Sequence, residues 1–379
     1  MIDVIIPVYK GLWQTRRCIE SVLANRQATT FEIVAVDDAS PEADITSYLD
    51  DLAAARRITL ARNERNLGFV QSVNRGMSLH AERDVVLLNS DTEVANDWLD
   101  RLCRSAYAYP DVGTVTPFSN NATICSYPFE GWTGGVPGTL GVAELDRLFA
   151  STNAGRTIDL PTAVGFCMLI RRACLDRIGP FDAERFGRGY GEENDFCMRA
   201  AAAGWRNVLA GDVFVYHEGA VSFSGERLEL TASAGKTLMD LYPDYVRKVR
   251  EYVRNDPAGP LRAAVDNARI AHRMEELRHV LAERMEERTR LQARLVEAEL
   301  YADEREPLIA KLRNGLALAE TLLAERDAEI ERLRAGLAHA EKLAFERAHE
   351  LEELQKSWIW KARVFLMRKK ARGAPHPPA

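Results

Sequence analysis

Three groups of residues have the types and spacing to do chemistry. The run VVLLNSDTEV (85–94) is apolar up to Leu88 and then turns abruptly to Asn89-Ser90-Asp91. A single carboxylate among small polar residues at a strand end is one hard oxygen ligand. Mg2+ or Mn2+ carried on a diphosphate needs few protein ligands, because phosphate oxygens and water supply the rest. Asp91 could instead cap a following helix, and Asn89 and Ser90 would then carry no special meaning. His217 closes a second apolar run, VFVY, and so also stands at a strand end, although a lone histidine is more often structural than ligating. Glu192, Glu193 and Asp195 crowd three carboxylates into four positions at a helix start. The helix dipole favours negative charge there. Crowding also raises the pKa of a carboxylate toward that of a general base working near neutral pH.

Those residues need elements to hold them. VIIPV (4–8), EIVAV (32–36) and DVVLLN (84–89) are short, continuous, β-rich runs that suit strands covered on both faces. Helical stretches at roughly 12–25, 42–55 and 68–82 lie between them. Strand alternating with helix predicts a mostly parallel sheet with right-handed crossovers. Ligands of such sheets bind beyond the carboxyl ends of the strands, which selects Pro7-Val8-Tyr9, Asp37-Asp38 and Asn89-Ser90-Asp91. Residues 116–162, rich in Gly, Pro, Asn and Thr, predict surface loops with one short helix near 142–150. AVGFCMLIRR (163–172) predicts a further buried strand. GEENDFCMRAAAAGW (191–205) predicts a helix stopped by Gly204, NVLAGDVFVYHEG (207–219) strand pieces, and 228–255 more helix.

Composition narrows the class. The chain has 379 residues with a net charge of −6, which argues against a general nucleic-acid binder. Six cysteines form no CxxC pair and read as reduced thiols of a cytoplasmic protein. MIDVIIPVYKGLW turns polar too early for a signal peptide, and no run of about 18 apolar residues predicts a spanning helix. Asn121-Ala122-Thr123 matches a glycosylation sequon, which in such a chain is a chance match.

From about Ile270 the composition shifts to Glu, Arg, Ala and Leu. A 3-4 spacing then runs unbroken through Leu277, Leu291, Leu316, Leu323 and Leu337 to Trp358, the period of a coiled coil. Five Arg and several Ala at its core positions make it an adaptable one, and Pro307 should kink it. Pairing between chains is the favoured reading; a long solvated helix folding back as a hairpin is the other. Residues 357–372 set Trp358, Ile359, Trp360 and Phe365 against Lys361, Arg363, Arg368 and Lys369. Such a basic amphipathic helix favours an anionic membrane surface or docks on protein. The expected organisation is a catalytic domain at 1–255, a linker at 256–269, a coiled coil at 270–356, the basic helix at 357–372 and a disordered tail at 373–379.

Seven motifs occur in a familiar order: VIIPVYKG, VAVDDAS, RNLGFVQSVNRGM, LLNSDTEV, GFCMLIRR, GYGEENDFCMRA and VYHEG. Over roughly residues 2–250 the chain resembles the family 2 glycosyltransferases, which have the A-type nucleotide-sugar fold. The resemblance implies that Pro7 and Tyr9 line the nucleotide pocket and that Asp38, with Asp37, binds the base or ribose. It places Asn66, Gly68 and Asn74 on the donor side. Asn89-Ser90-Asp91 takes the place of the family's Asp-x-Asp motif, with Asn for the first Asp. Asp91 is then the metal-ligating carboxylate, and His217 the late histidine that completes the metal site. Gly165-Phe166-Cys167 would border the acceptor. Glu193 stands where the catalytic base Asp is usual, with Asp195 second choice and Glu192 third.

The resemblance thus implies an inverting transferase moving a sugar from a UDP-, dTDP- or GDP-sugar to a glycan or lipid-linked acceptor with Mn2+ or Mg2+. Bacterial surface polysaccharide is the expected product, made at the inner face of the cytoplasmic membrane by a homo-oligomer or glycan-assembly complex. A nucleotidyltransferase would show a Gly-rich basic loop after the first strand, and Pro7-Val8-Tyr9-Lys10-Gly11 is a poor match. A catalytically silent scaffold acting through its coiled coil is the remaining rival.

Overall fold

In the first strand, β1 (Ile2–Val8), alternate side chains go to different cores. Ile2, Val4, Ile6 and Val8 join one apolar cluster and Ile5 the other. That is why the run is apolar throughout rather than alternating. Each such aliphatic side chain contributes roughly 1.5–3 kcal/mol on burial. The computed structural model describes residues 1–137, 140–219, 227–302 and 306–356.

The chain continues through α1 (Leu12–Ala24), β2 (Phe31–Asp37), α2 (Ala43–Ala54), β3 (Thr59–Arg62), α3 (Phe69–Ser78), β4 (Asp84–Leu88) and the two-residue β5 (Thr92–Glu93). Helix α1 lays Thr15, Cys18, Ile19 and Val22 on the sheet, a stripe at helical spacing. Next come α4 (Trp98–Ala106), β6 (Val112–Phe118), α5 (Val142–Thr152), β7 (Thr157–Leu160), β8 (Cys167–Ile170), α6 (Arg172–Ile178), α7 (Ala183–Phe186), α8 (Glu192–Ala202), β9 (Arg206–Phe214) and β10 (Tyr216–His217).

Eight strands form one sheet in the order β3-β2-β1-β4-β8-β6-β9-β7, and β10 pairs with β5 in a separate ribbon. Strands β1 to β4 are mutually parallel, whereas β8 runs antiparallel between β4 and β6. The sheet is therefore mostly parallel and flanked by helices, as expected. The chain builds outward from β1 to β3 and then returns to β4 on the other side of β1. That reversal is a topological switch point, and it opens a crevice at the carboxyl ends of β1 and β4.

Helices α9 (Arg227–Leu241), α10 (Tyr245–Asn255), α11 (Gly259–Ala302) and α12 (Glu306–Lys356) complete the described chain. Residues 256–269, expected as a linker, are helical from Gly259, and Leu261 and Val265 are fully buried in the first core cluster. The apolar periodicity ahead of Ile270 is too short to announce this. The chain divides into two compact units, with Met1–Val265 in the first and Asp266–Trp358 the second.

Within the second unit α11 and α12 pair with each other. Arg288 meets Asp327 at 3.2 Å, Arg326 meets Glu287 at 3.3 Å, and Arg278 meets Glu341 at 3.5 Å. The numbers run in opposite senses, so the pair is antiparallel. The fold-back reading of the heptad seam is thus the one adopted. Arginines at seam positions are accommodated because they reach sideways to acids on the other helix. Pro307 lies in the first turn of α12, where its missing N–H costs no helical hydrogen bond. No helix among the described residues is long and apolar enough to cross a membrane. The basic segment 357–372 and the tail 373–379 lie outside the described residues.

Candidate active site

Asp91 and His217 are brought together by the β5–β10 ribbon, in which His217 faces Thr92. His217 Nε2 stands 3.4 Å from Asp91 Oδ1. No helix follows Asp91 directly: β5 comes next, and the next helix, α4, is preceded by Asp97. The capping alternative therefore does not apply. Each of the two side chains is held from behind. Gly219 N–H donates to Asp91 Oδ2 at 3.0 Å, and His217 Nδ1 lies 2.7 Å from the Asn121 carbonyl. A carbonyl oxygen only accepts, so Nδ1 carries the proton and Nε2 is the nitrogen turned to Asp91. Burial pushes the Asp91 carboxyl up, but the hydrogen bond and charge of His217 and the Gly219 N–H outweigh it and hold it below its ordinary value.

This donor set fits a divalent cation. It offers one hard oxygen and one imidazole nitrogen directed at the same point, with the second atom of each fixed by the backbone. Asn120 strengthens the arrangement: its Oδ1 accepts from His217 N–H at 2.9 Å and its Nδ2 donates to the His217 carbonyl at 3.0 Å. Sequence reasoning missed Asn120 and Asn121. The only signal there was the Asn121 sequon, and its asparagine turns out to position a histidine.

Gly165 and Phe166 connect this pair to the carboxylates. The Phe166 ring stacks on the His217 ring, 5.3 Å between centroids and 19° between planes. A Cβ on Gly165 would lie 3.7 Å from Glu193 Cγ. Of these two consecutive residues, Phe166 faces the metal-type pair and Gly165 faces Glu193. Cys167 is a core residue: it pairs with Leu88 in the sheet and is fully buried.

Of the three acids, Asp195 is already committed. Its Oδ1 accepts from the Tyr242 hydroxyl at 2.6 Å and its Oδ2 from Arg199 Nε at 2.8 Å. Glu192 is buried, and its Oε2 has no hydrogen-bond partner among the described residues. Burial, and after it the charge of Glu193, push the Glu192 carboxyl well above its ordinary value. Burial likewise raises Glu193, against the backbone N–H groups of the first helical turn. A carboxylate made more basic than usual is suited to accept a proton.

On the donor side, Pro7, Tyr9, Asp38, Asn66 and Gly68 line one open cleft at the carboxyl ends of β1 and β2. Asp38 accepts from Asn63 Nδ2, Leu67 N–H and Gly68 N–H at 2.7–2.8 Å. Asp37 sits outside that cleft, with Arg62 Nε and Ser40 N–H on its carboxylate at 2.8 Å. Asn74 is also elsewhere: its amide exchanges two hydrogen bonds with the Phe181 backbone. Asn89 N–H donates to the Phe166 carbonyl at 2.8 Å, and the Asn89 carbonyl accepts from Thr92, so Asn89 and Ser90 form the turn that presents Asp91.

Residues 3–179 match the family described as Glycosyl transferase family 2. A curated relative, the uncharacterized protein y4gI of Sinorhizobium fredii, is 26% identical over 235 residues, which cover 59% of this chain and 25% of that protein. The chain thus spans about a quarter of that relative's length. Two solved structures also align. GalNAc-T7 with UDP, GalNAc and Mn2+ does so at TM-score 0.48 and 18% identity, over 68% of this chain and 51% of its own. Mannosyltransferase PcManGT from Pyrobaculum calidifontis, in complex with GDP-Man and Mn2+, aligns at 0.46 and 15%, over 91% of this chain and 86% of its own. The family match includes Asp91 and stops before Glu193 and His217; the β5–β10 ribbon and Gly165-Phe166 tie those two to it. Residues 3–179 of the chain are thus similar to glycosyl transferase family 2, and this stretch carries most of the sheet and Asp91.

Proposed function

We propose that the protein is an inverting glycosyltransferase that moves a sugar from a nucleotide-diphosphate donor to a hydroxyl of a glycan or lipid-linked acceptor. The observation that carries this reading is the juxtaposition at Gly165-Phe166, with a metal-type Asp–His pair on one side and a basic carboxylate on the other. The nucleoside would lie in the Pro7–Tyr9–Asp38 cleft. Asp91 and His217 would hold a divalent cation, which supplies positive charge against the leaving diphosphate. Glu193 removes the proton of the acceptor hydroxyl, and that oxygen attacks the anomeric carbon from the face opposite the nucleotide. One such displacement inverts the anomeric configuration. Asp195, engaged by Tyr242 and Arg199, positions the start of α8 and is not the base. A bacterial surface polysaccharide as product, and self-association with a membrane or assembly partner, belong to the same proposal.

The test is calorimetry of UDP, GDP and dTDP with and without Mn2+. One of the three should bind in a metal-dependent way, and Asp91→Ala should abolish the metal dependence. If none binds to the folded protein, the scaffold reading takes over.

A further inference from the structure

The loop between α7 and α8 carries Arg188 onto the nucleotide cleft, which it helps to line. The Arg188 carbonyl accepts from Phe69 N–H at 3.1 Å, and its Nη2 donates to Asn66 Oδ1 at 3.1 Å. Gly68 has φ +88°, and a Cβ there would stand 2.8 Å from Arg188 Cα. The two segments therefore touch backbone to backbone, and only glycine permits it. On its other side Gly68 is held by the Asp38 carboxylate. The same loop leads within four residues to Glu192. Gly189, Tyr190 and Gly191 have φ of 140°, 71° and 88°. A Cβ on Gly191 would come within 3.0–3.2 Å of Phe186, Ala234 and Leu238, so the start of α8 is closely seated. An unbroken line of contacts therefore runs from Asp38 through Gly68 and Arg188 to the base-bearing helix.

Resting on the function proposed above, we infer that Arg188 recognises the nucleoside end of the donor, and that the 187–191 loop links cleft occupancy to the placement of Glu193. A guanidinium presents a planar fork of donors and also stacks on flat rings, and both suit a nucleobase in a slot lined by Pro7 and Tyr9. A ligand shifts a loop only by the contacts it makes in one loop position and not in another. Arg188 is the loop residue placed to make them.

The experiment uses the full chain with UMP, GMP and dTMP, which carry the nucleoside without the diphosphate, and no added metal. Wild type should bind at least one. Arg188→Ala should weaken it about 10- to 100-fold, as expected for losing hydrogen bonds from a charged donor. Arg188→Lys should recover only part, since it keeps the charge and loses the fork. Arg188 is exposed, so both variants should melt as wild type does. Hydrolysis of the matching nucleotide-sugar at saturating donor should also slow about tenfold in Arg188→Ala, which a residue that only binds would not cause. Unchanged monophosphate affinity in Arg188→Ala overturns the recognition role. Weakened affinity with an unchanged saturated rate overturns the link to Glu193. Wild type binding diphosphates but no monophosphate overturns this inference alone. Wild type binding neither overturns it together with the functional reading.

Discussion

Two acid–histidine groups stand at opposite ends of one sheet. At the amino ends of β1 and β2, Asp3, Glu32 and His80 cluster closely enough to suggest a metal site. Arg83 Nη1 already occupies their centre, 2.8 Å from Asp3, 2.7 Å from Glu32 and 3.0 Å from His80 Nδ1. The chain supplies its own cation there. At the carboxyl ends, Asp91 and His217 are braced by backbone atoms and Asn120 instead. Geometry alone would rank the first cluster higher. The cation reverses the ranking: Arg83 is permanently charged and fills the space between the ligand atoms, whereas the charge beside Asp91 is that of His217, and a histidine that gives up its proton becomes a ligand.

The largest expected effect lies at the carboxyl ends. Glu193→Gln should slow transfer by about 10²–10⁴, the usual worth of a general base, with the fold intact by circular dichroism. A loss under tenfold would remove Glu193 from the chemistry. Because burial raises this carboxyl, the acid limb of the wild-type rate profile should fall above the ordinary carboxylate value of 4.5.

At the amino ends the effect should be on stability alone. Asp3→Ala strips a buried carboxylate from Arg83 and His80 and should cost about 2–3 kcal/mol in urea unfolding. Mn2+-dependent nucleotide binding should be unchanged. A fall in that binding would mean that the amino-end cluster matters to the metal after all.

The smallest effect sharpens the comparison by its sign. Glu32 is held below its ordinary value by its hydrogen bonds to Thr59 and Arg83. It contributes stability at neutral pH that is lost as pH falls through its lowered pKa. Glu192 is raised by burial, so its ionised form costs stability above that raised pKa, and the cost is relieved as pH falls toward 4.5. Glu192→Gln should therefore raise the melting temperature at pH 8, with the gain shrinking toward pH 5. Melting curves at the two pH values decide it; a loss at pH 8 would show that the charged form is the one the fold prefers.

Much of this was legible from residue types. Continuous apolar runs such as VIIPV announced strands buried on both faces, and the abrupt polarity after Leu88 and Tyr216 marked strand ends. What stayed hidden depends on contacts distant in sequence. The commitment of Asp195 needs Tyr242, 47 positions on. Asn120 and Asn121 matter only because His217 lands beside them. Asp37 and Asp38 are adjacent and alike, yet one meets Arg62 and the other the turn at Gly68. The heptad seam was plain, but the same 3-4 spacing serves a partner in another chain or in the same one. The register of the ion pairs decided that, and spacing carries no such information.

The β5–β10 ribbon also bears on how the protein comes into being. Thr92 and His217 face each other across 125 positions of chain. During synthesis β1 to β4 emerge early, and their parallel pairing can begin without the last strands. Asp91 is therefore in place long before His217 leaves the ribosome. A nascent or prematurely ended chain short of residue 217 lacks the imidazole that stands 3.4 Å from Asp91. The Asp91–His217 pair is completed in one late step, when β10 takes its place beside β5.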